Sequence, residues 1–115
     1  MSVTIYHNPR CSKSRQTLQL LRDNGVEPTI IEYLKAPPDA ATLMEILGKL
    51  DLEPRGLMRN TEEVYKENGL ADDDLSESEL IDAMVANPIL IERPIVLANS
   101  KAALGRPPES VLNIL

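Results

Sequence analysis

The chain has 115 residues and a net charge of −6 at pH 7, and 43% of its residues are hydrophobic. A chain of this size holds a single core, so we predict one domain over residues 1–115. Three Tyr, no Phe and no Trp, combined with the negative charge, argue against nucleic-acid binding. No apolar run approaches the roughly 20 residues of a membrane span, and no secretory leader precedes the first strand. A single cysteine in such a chain predicts a cytoplasmic protein without membrane association.

The first third of the chain predicts a βαβ unit. Residues 3–6 and 29–33 are rich in β-branched side chains and are typical of strands. Between them, residues 12–24 predict a helix that ends at Gly25. A crossover that contains a helix predicts two parallel strands with a right-handed connection.

The middle of the chain, about residues 39–87, predicts helices only. Asp39 can cap a helix with apolar residues at i, i+3, i+4 and i+7 spacing, which are Leu43, Ile46, Leu47 and Leu50. Asn60 and Ser76 each precede a Glu by three residues, which is the spacing of a capping box. They predict two further helices, one over residues 60–68 and one that begins at Ser76.

The last quarter predicts two strands and a short helix. Residues 93–98 and 101–104 read as strands, with Asn99 and Ser100 as the tight turn between them. Pro107 opens a final short α-helix. The order βαβ, helical insert, ββα predicts an α/β protein with a thioredoxin-like fold and a four-stranded mixed sheet.

Cys11, the only cysteine, is predicted to lie directly before the first helix, in the loop that follows the first strand. The free N–H groups and the positive dipole end of a helix favour thiolate over thiol. Arg10, Lys13 and Arg15 crowd the same stretch and favour the thiolate further. We therefore predict a nucleophilic Cys11 with a lowered pKa, rather than an inert buried thiol. A cationic helix entrance in an acidic chain also predicts a bound anion.

His7 and Ser14 are the candidates for supporting Cys11. The pair Cys11-x-x-Ser14 cannot close an intramolecular disulfide, so any redox cycle needs an external thiol. The Ser14 hydroxyl can bind a thiolate or an oxyanion, or simply serve the first helical turn. His7, the only histidine, can form a Cys–His pair or be an ordinary strand-end residue. One Cys and one His cannot supply the ligands of a typical metal site, so we predict none.

Three arginines lie far apart in the sequence, Arg59, Arg93 and Arg106, and each is either a solvated surface side chain or an anion-binding group. Guanidinium groups bind tetrahedral oxyanions through paired hydrogen bonds. Arg93 and Arg106 each precede a proline, and the sequence leaves open whether either bond is cis. A tyrosine-phosphatase loop is disfavoured, because it would place an arginine where this chain has Thr17.

Four segments of the chain, in order, resemble the glutaredoxin-dependent arsenate reductase family. They are HNPRCSKSR at residues 7–15, RGLMRN at 55–60, NPILIERPIV at 87–96 and RP at 106–107. Several spaced motifs in order are far more specific than one Cys-x-x-Ser pair. The resemblance covers nearly the whole chain.

The resemblance implies a role for each candidate. Cys11 would attack arsenate, and arginines would bind the oxyanion, namely Arg59, Arg93 and Arg106, with Arg15 a further candidate. Pro94 would be a cis proline that faces Cys11. Glutathione, as a co-substrate, would add to the bound arsenic, and glutaredoxin would complete the reduction to arsenite. No cofactor would be bound.

Two other functions stay open at this point. A general monothiol oxidoreductase acting on glutathione mixed disulfides would need Cys11 but not the three arginines. A non-catalytic binding module would resemble the Spx-type transcriptional regulators, which share the fold and bind RNA polymerase. Those regulators often use Cys-x-x-Cys as a redox switch, and Ser14 in this chain argues against such a switch.

Overall fold

A computed structural model describes residues 2–115 and contains one four-stranded sheet. Its strands are β1 Val3–His7, β2 Thr29–Glu32, β3 Ile95–Ala98 and β4 Lys101–Leu104. They lie in the order β2-β1-β3-β4, with β1 and β2 parallel and the other pairs antiparallel. The predicted mixed sheet and thioredoxin-like fold are therefore confirmed.

The core of this part of the molecule lies on one face of the sheet. Alternate residues of β1 and β3 point to this face and pack against α1, Ser12–Asp23, and against the C-terminal segment. Its buried members are Val3, Ile5, Leu21, Val96, Ala98, Val111 and Ile114. Burial of these aliphatic side chains fixes the register, because a slip by one residue would turn the same set toward the other face.

The C-terminal segment has the predicted turn but a different type of final helix. Asn99 and Ser100 both have positive φ, at 54° and 62°, as the predicted tight hairpin turn requires. The final helix, Pro108–Ile114, is a 3₁₀ helix rather than an α-helix. Pro108, Val111 and Ile114 are its buried residues, and the three-residue repeat of a 3₁₀ helix places all three on one face.

Residues 2–36 and 93–115 form one compact unit with the sheet, and residues 37–92 form a second compact unit. The second unit contains the predicted helical insert: α2 Ala40–Leu50, α3 Glu63–Glu67 and α4 Glu77–Ala86. Asp39 caps α2 by accepting from the Thr42 N–H. Ser76 caps α4 in a complete capping box with Glu79, as the spacing predicts.

The prediction for α3 was wrong in its start and its cap. The helix begins at Glu63 rather than at residue 60, and Glu62 precedes it without a side-chain cap bond. Arg59 accounts for the difference: its carbonyl accepts from the Glu62 N–H, and its guanidinium binds the Glu62 carboxylate at 3.2 Å. Both contacts hold the chain in a turn where a first helical turn was expected.

The two units carry opposite charge. Residues 2–36 and 93–115 contain eight Lys and Arg against four Asp and Glu, whereas residues 37–92 contain four against fourteen. The excess of positive charge therefore belongs to the unit that contains Cys11, which favours anionic ligands there. Among residues 2–115, no helix is long and apolar enough to span a membrane.

Candidate active site

Cys11 lies at the N-terminus of α1, as predicted. β1 ends at His7, and Cys11 is the residue that precedes the first turn of α1, with extended backbone angles. Its N–H donates to the Asn8 carbonyl at 3.0 Å, and its carbonyl accepts the first helical bond from Arg15. These two bonds fix the sulfur at the point where the helix presents its free N–H groups.

The surroundings of the Cys11 sulfur favour the thiolate. Burial alone opposes the charge, but the N–H groups of Ser14 and Lys13 and the Arg93 guanidinium outweigh it, so the pKa of Cys11 is lowered. The sulfur also accepts from Arg106 Nη2 at 3.9 Å. Cys11 is partly exposed, so the stabilised thiolate can reach a ligand. The predicted direction of the pKa shift is confirmed.

Alkylation of Cys11 by iodoacetamide should persist at pH values where an ordinary thiol has stopped reacting. A lowered pKa means that the thiolate is present above the folded-state pKa and is lost only as the pH falls through it. In urea the same thiol should titrate near the free value of about 8.5. The measurement is the alkylation rate against pH, each curve scaled to its own alkaline plateau. Coincident folded and unfolded curves would contradict the proposed electrostatic environment.

The sheet topology brings Arg93 and Arg106 to Cys11. The C-terminal end of β1, the N-terminal end of β3 and the C-terminal end of β4 lie at the same end of the sheet. Residues just outside these strand ends are therefore neighbours. Arg106 Nε donates to the Arg93 carbonyl at 2.8 Å, which ties the two arginines together. The geometry therefore unites three residues that are far apart in the sequence.

Both arginines precede a cis proline: the Arg93–Pro94 and Arg106–Pro107 bonds are cis. The cis state of Pro94 is the one that the family resemblance implies, and the sequence alone had left it open. Gly105 lies beside this loop, and its N–H donates to the Pro94 carbonyl at 3.0 Å. A Cβ at Gly105 would meet Thr17 Oγ1 and approach Pro94 Cγ to 2.7 Å. Only glycine allows this close approach of the two loops.

Arg15 and Arg59 have other contacts. Arg15 donates from Nη1 to the Pro9 carbonyl at 2.9 Å and remains exposed. Arg59 belongs to the second unit, where it lies 3.2 Å from a Glu62 oxygen and 3.6 Å from a Glu92 oxygen. The oxyanion-binding role of both arginines stays a prediction.

His7 is buried and acts on the loop through Ser14. Its Nδ1 lies 2.6 Å from Ser14 Oγ, which also accepts the Asn8 N–H at 3.0 Å. Burial lowers the pKa of His7, although the Glu32 carboxylate opposes the shift. This shift favours the neutral imidazole over the imidazolium, and the cations that contact the Cys11 sulfur are the guanidinium groups of Arg93 and Arg106. The Ser14 hydroxyl binds His7 and Asn8, while the Ser14 N–H supports Cys11.

The ArsC family profile matches residues 6–114. The chain belongs to the ArsC family. It is 61% identical to the uncharacterised protein YfgD of Escherichia coli K12, over 98% of this chain and 96% of that protein. It is 46% identical to an arsenate reductase of Escherichia coli, over 99% of this chain and 81% of that protein. The structure of an arsenate reductase from Vibrio cholerae has a TM-score of 0.98 and 52% identity, over 100% of this chain and 98% of that chain.

Two residues of this ArsC-family site were missed by sequence reasoning. The Asn8 carbonyl accepts from the Cys11 N–H and its Oδ1 accepts from the Arg10 N–H, so Asn8 stabilises the loop that carries Cys11. Its place between a strand and a helix is a signal for such a turn. Gly105 is the second missed residue, and the signal for it was a glycine directly before Arg106 and Pro107. Among residues 2–115, no cluster of three or more His, Cys, Asp or Glu is arranged to hold a metal ion.

The Ser14→Ala variant should be less stable by about 1–3 kcal/mol, because it leaves buried polar groups of His7 and Asn8 without their partner. Ser14 is fully buried, so water cannot replace the hydroxyl. The measurement is urea unfolding. Ser12→Ala is the matched control, since Ser12 is exposed and its change should stay within about 0.5 kcal/mol. Equal midpoints for the two variants would contradict the buried network.

Proposed function

We propose that the chain reduces arsenate to arsenite, with Cys11 as the nucleophile and with glutathione and glutaredoxin as the source of electrons. The observation that carries the proposal is the environment of the Cys11 sulfur. It accepts from helix N–H groups and lies against Arg93 and Arg106. Relatives named arsenate reductases, at 45–47% identity over nearly the whole chain, support the substrate.

The site suits a tetrahedral oxyanion and a thiolate together. The Cys11 thiolate and the oxyanion repel each other, so their approach needs hydrogen-bond donors and positive charges that are already in place. The N–H groups at the start of α1 and the guanidinium groups of Arg93 and Arg106 supply these donors at the sulfur. Binding the oxyanion next to Cys11 also removes much of the entropic barrier to attack.

The proposed reaction balances in four steps. The Cys11 sulfur displaces one arsenate oxygen, which leaves as water, and a sulfur–arsenic(V) bond forms. The glutathione sulfur displaces a second oxygen as water and forms a second sulfur–arsenic bond. A glutaredoxin thiol attacks the glutathione sulfur and forms a glutaredoxin–glutathione disulfide, and the electron pair of the broken sulfur–arsenic bond reduces arsenic(V) to arsenic(III). Water then cleaves the Cys11–arsenic(III) bond, which releases arsenite and restores the thiol.

The absence of a second cysteine supports the need for external thiols. Cys11 is the only cysteine of the chain, so no internal thiol can attack the sulfur–arsenic bond. Two electrons must therefore come from other molecules, and glutathione with glutaredoxin supplies them. Reduced glutathione is abundant in the cytoplasm, so we infer a cytoplasmic location for the reaction.

The test is turnover of the purified chain with arsenate, glutathione and glutaredoxin, coupled to NADPH through glutathione reductase. We expect one arsenite for each NADPH consumed, and we expect the rate to fall to background when arsenate, glutathione or glutaredoxin is omitted. Arsenite should be quantified directly by speciation. Turnover of a glutathione mixed disulfide without any turnover of arsenate would overturn the proposal in favour of a general monothiol oxidoreductase.

A further inference from the structure

A cleft of about 360 Å³ lies beside the nucleophile loop. Residues His7 to Arg10 form one side, and Glu32, Leu34 and Lys35 form the other. His7 and Glu32 are paired in register at the carboxyl ends of the parallel strands β1 and β2. Clefts outside the carboxyl ends of parallel strands are frequent ligand sites in α/β proteins, and this volume lies within the usual range of about 300–1,000 Å³.

The charged groups of the cleft are exposed and available to a ligand. Arg10 and Lys35 are cationic and exposed, and Glu32 is the one carboxylate of the lining. Lys35 Nζ lies 3.7 Å from Glu32 Oε1, with the two side chains 81% and 44% exposed. An exposed pair at this distance contributes little to stability. Both groups can therefore exchange their mutual contact for contacts with a ligand.

We propose that this cleft binds glutathione before it reacts, with the two glutathione carboxylates on Arg10 and Lys35 and its ammonium group on Glu32. The inference rests on the proposed function and adds the location of the co-substrate. At neutral pH glutathione carries two carboxylates and one ammonium, which is the complement of two cations and one carboxylate. The cleft belongs to the positively charged unit of residues 2–36 and 93–115, and this charge attracts the anionic tripeptide.

The cleft borders the loop that leads into Cys11. Arg10 lines the cleft and is joined directly to Cys11, so their Cα atoms are only about 3.8 Å apart. Pro9 and Asn8 belong to the same loop, which the Asn8 side chain holds through the Arg10 N–H. A tripeptide bound in this cleft would therefore lie against the loop that carries Cys11.

Binding can be tested without turnover by titrating the ¹⁵N-labelled chain with S-methylglutathione, which cannot form a thiol adduct. We expect backbone amide shifts at residues 7–10, without Pro9, and at residues 32–35. Lys35→Glu should weaken binding by at least about tenfold, because it sets a like charge against a carboxylate. Lys101→Glu is the matched control, since Lys101 starts β4 at the opposite end of the sheet and should leave affinity unchanged.

Kinetics separate this proposal from the proposed function. Lys35→Glu should raise the glutathione KM about tenfold, while the arsenate KM and kcat at saturating glutathione stay near wild type. Arsenate turnover with an unchanged glutathione KM in Lys35→Glu would overturn the cleft and leave the proposed function intact. A wild-type chain that shows the amide shifts, and loses affinity in Lys35→Glu, but does not turn over arsenate would overturn the proposed function. The cleft would then remain a glutathione site. Shifts confined to another surface would overturn the cleft.

Discussion

Cys11→Ser should lower arsenate turnover by about a thousandfold or more, which is the scale on which loss of a catalytic nucleophile acts. Serine is close to isosteric, but its hydroxyl does not ionise near neutral pH and cannot form the sulfur–arsenic bond. The helix N–H groups and Arg93 that lower the Cys11 pKa cannot compensate for a missing thiolate. The measurement is the coupled arsenite assay at saturating glutathione and glutaredoxin.

The variant should still fold and bind the anion, which makes the loss of turnover specific. Cys11 is partly exposed and its side chain does not cap α1, so the unfolding midpoint should stay close to wild type. Arsenate should still bind to the variant, because the N–H groups and the guanidinium groups remain. Ser12→Ala, one residue away and exposed, should retain full turnover. Retention of more than about a hundredth of the wild-type turnover by Cys11→Ser would contradict the role of the sulfur.

The sheet was predictable because its signals are local. Two β-branched runs on either side of a helix, and two short strands around Asn99 and Ser100, each carry their own pattern. The capping box of α4 is equally local, since Ser76 and Glu79 lie three residues apart. Physical propensity and tertiary structure agree at these positions, so the pattern is sufficient.

The errors arise where a contact of the folded chain competes with a helical pattern in the sequence. Asn60 has the spacing of a helix cap, but the Arg59–Glu62 ion pair keeps that segment in a turn. The last helix has a helical pattern, but packing of Val111 and Ile114 on the core favours a three-residue repeat. The Arg59–Glu62 pair is local but competes with the capping-box spacing of Asn60 and Glu63, whereas the core contacts of Val111 and Ile114 are made with residues far away in the chain.

The candidate site shows the same division. The position of Cys11 at a helix entrance follows from the strand, loop and helix around it. The meeting of Cys11 with Arg93 and Arg106 follows only from the strand order, which joins segments more than 80 residues apart in the chain. The partners of the Ser14 hydroxyl, His7 and Asn8, likewise require the folded loop.

Arg93→Ala should lower kcat/KM for arsenate by about 10- to 100-fold, the usual loss when a hydrogen bond to a charged group is removed. It should also raise the pKa of Cys11, because Arg93 both donates to the sulfur and supplies a neighbouring positive charge. The two effects act at one pH in the same direction: less thiolate is present and the oxyanion is held less well. The measurements are the arsenate kinetics and the alkylation rate of Cys11 against pH.

Arg93→Lys separates the two roles of the guanidinium. Lysine keeps the positive charge, so the Cys11 pKa should return toward the wild-type value, but lysine lacks the planar fork that binds two oxygens at once. Arsenate kcat/KM should therefore remain low in Arg93→Lys even where alkylation is restored. Arg22→Ala removes an equal charge from the far end of α1, where Arg22 pairs with Glu27 at 3.0 Å, and should leave both readouts unchanged. If Arg93→Lys restored arsenate turnover as fully as alkylation, charge alone would explain Arg93, and paired hydrogen bonding to the oxyanion would be excluded.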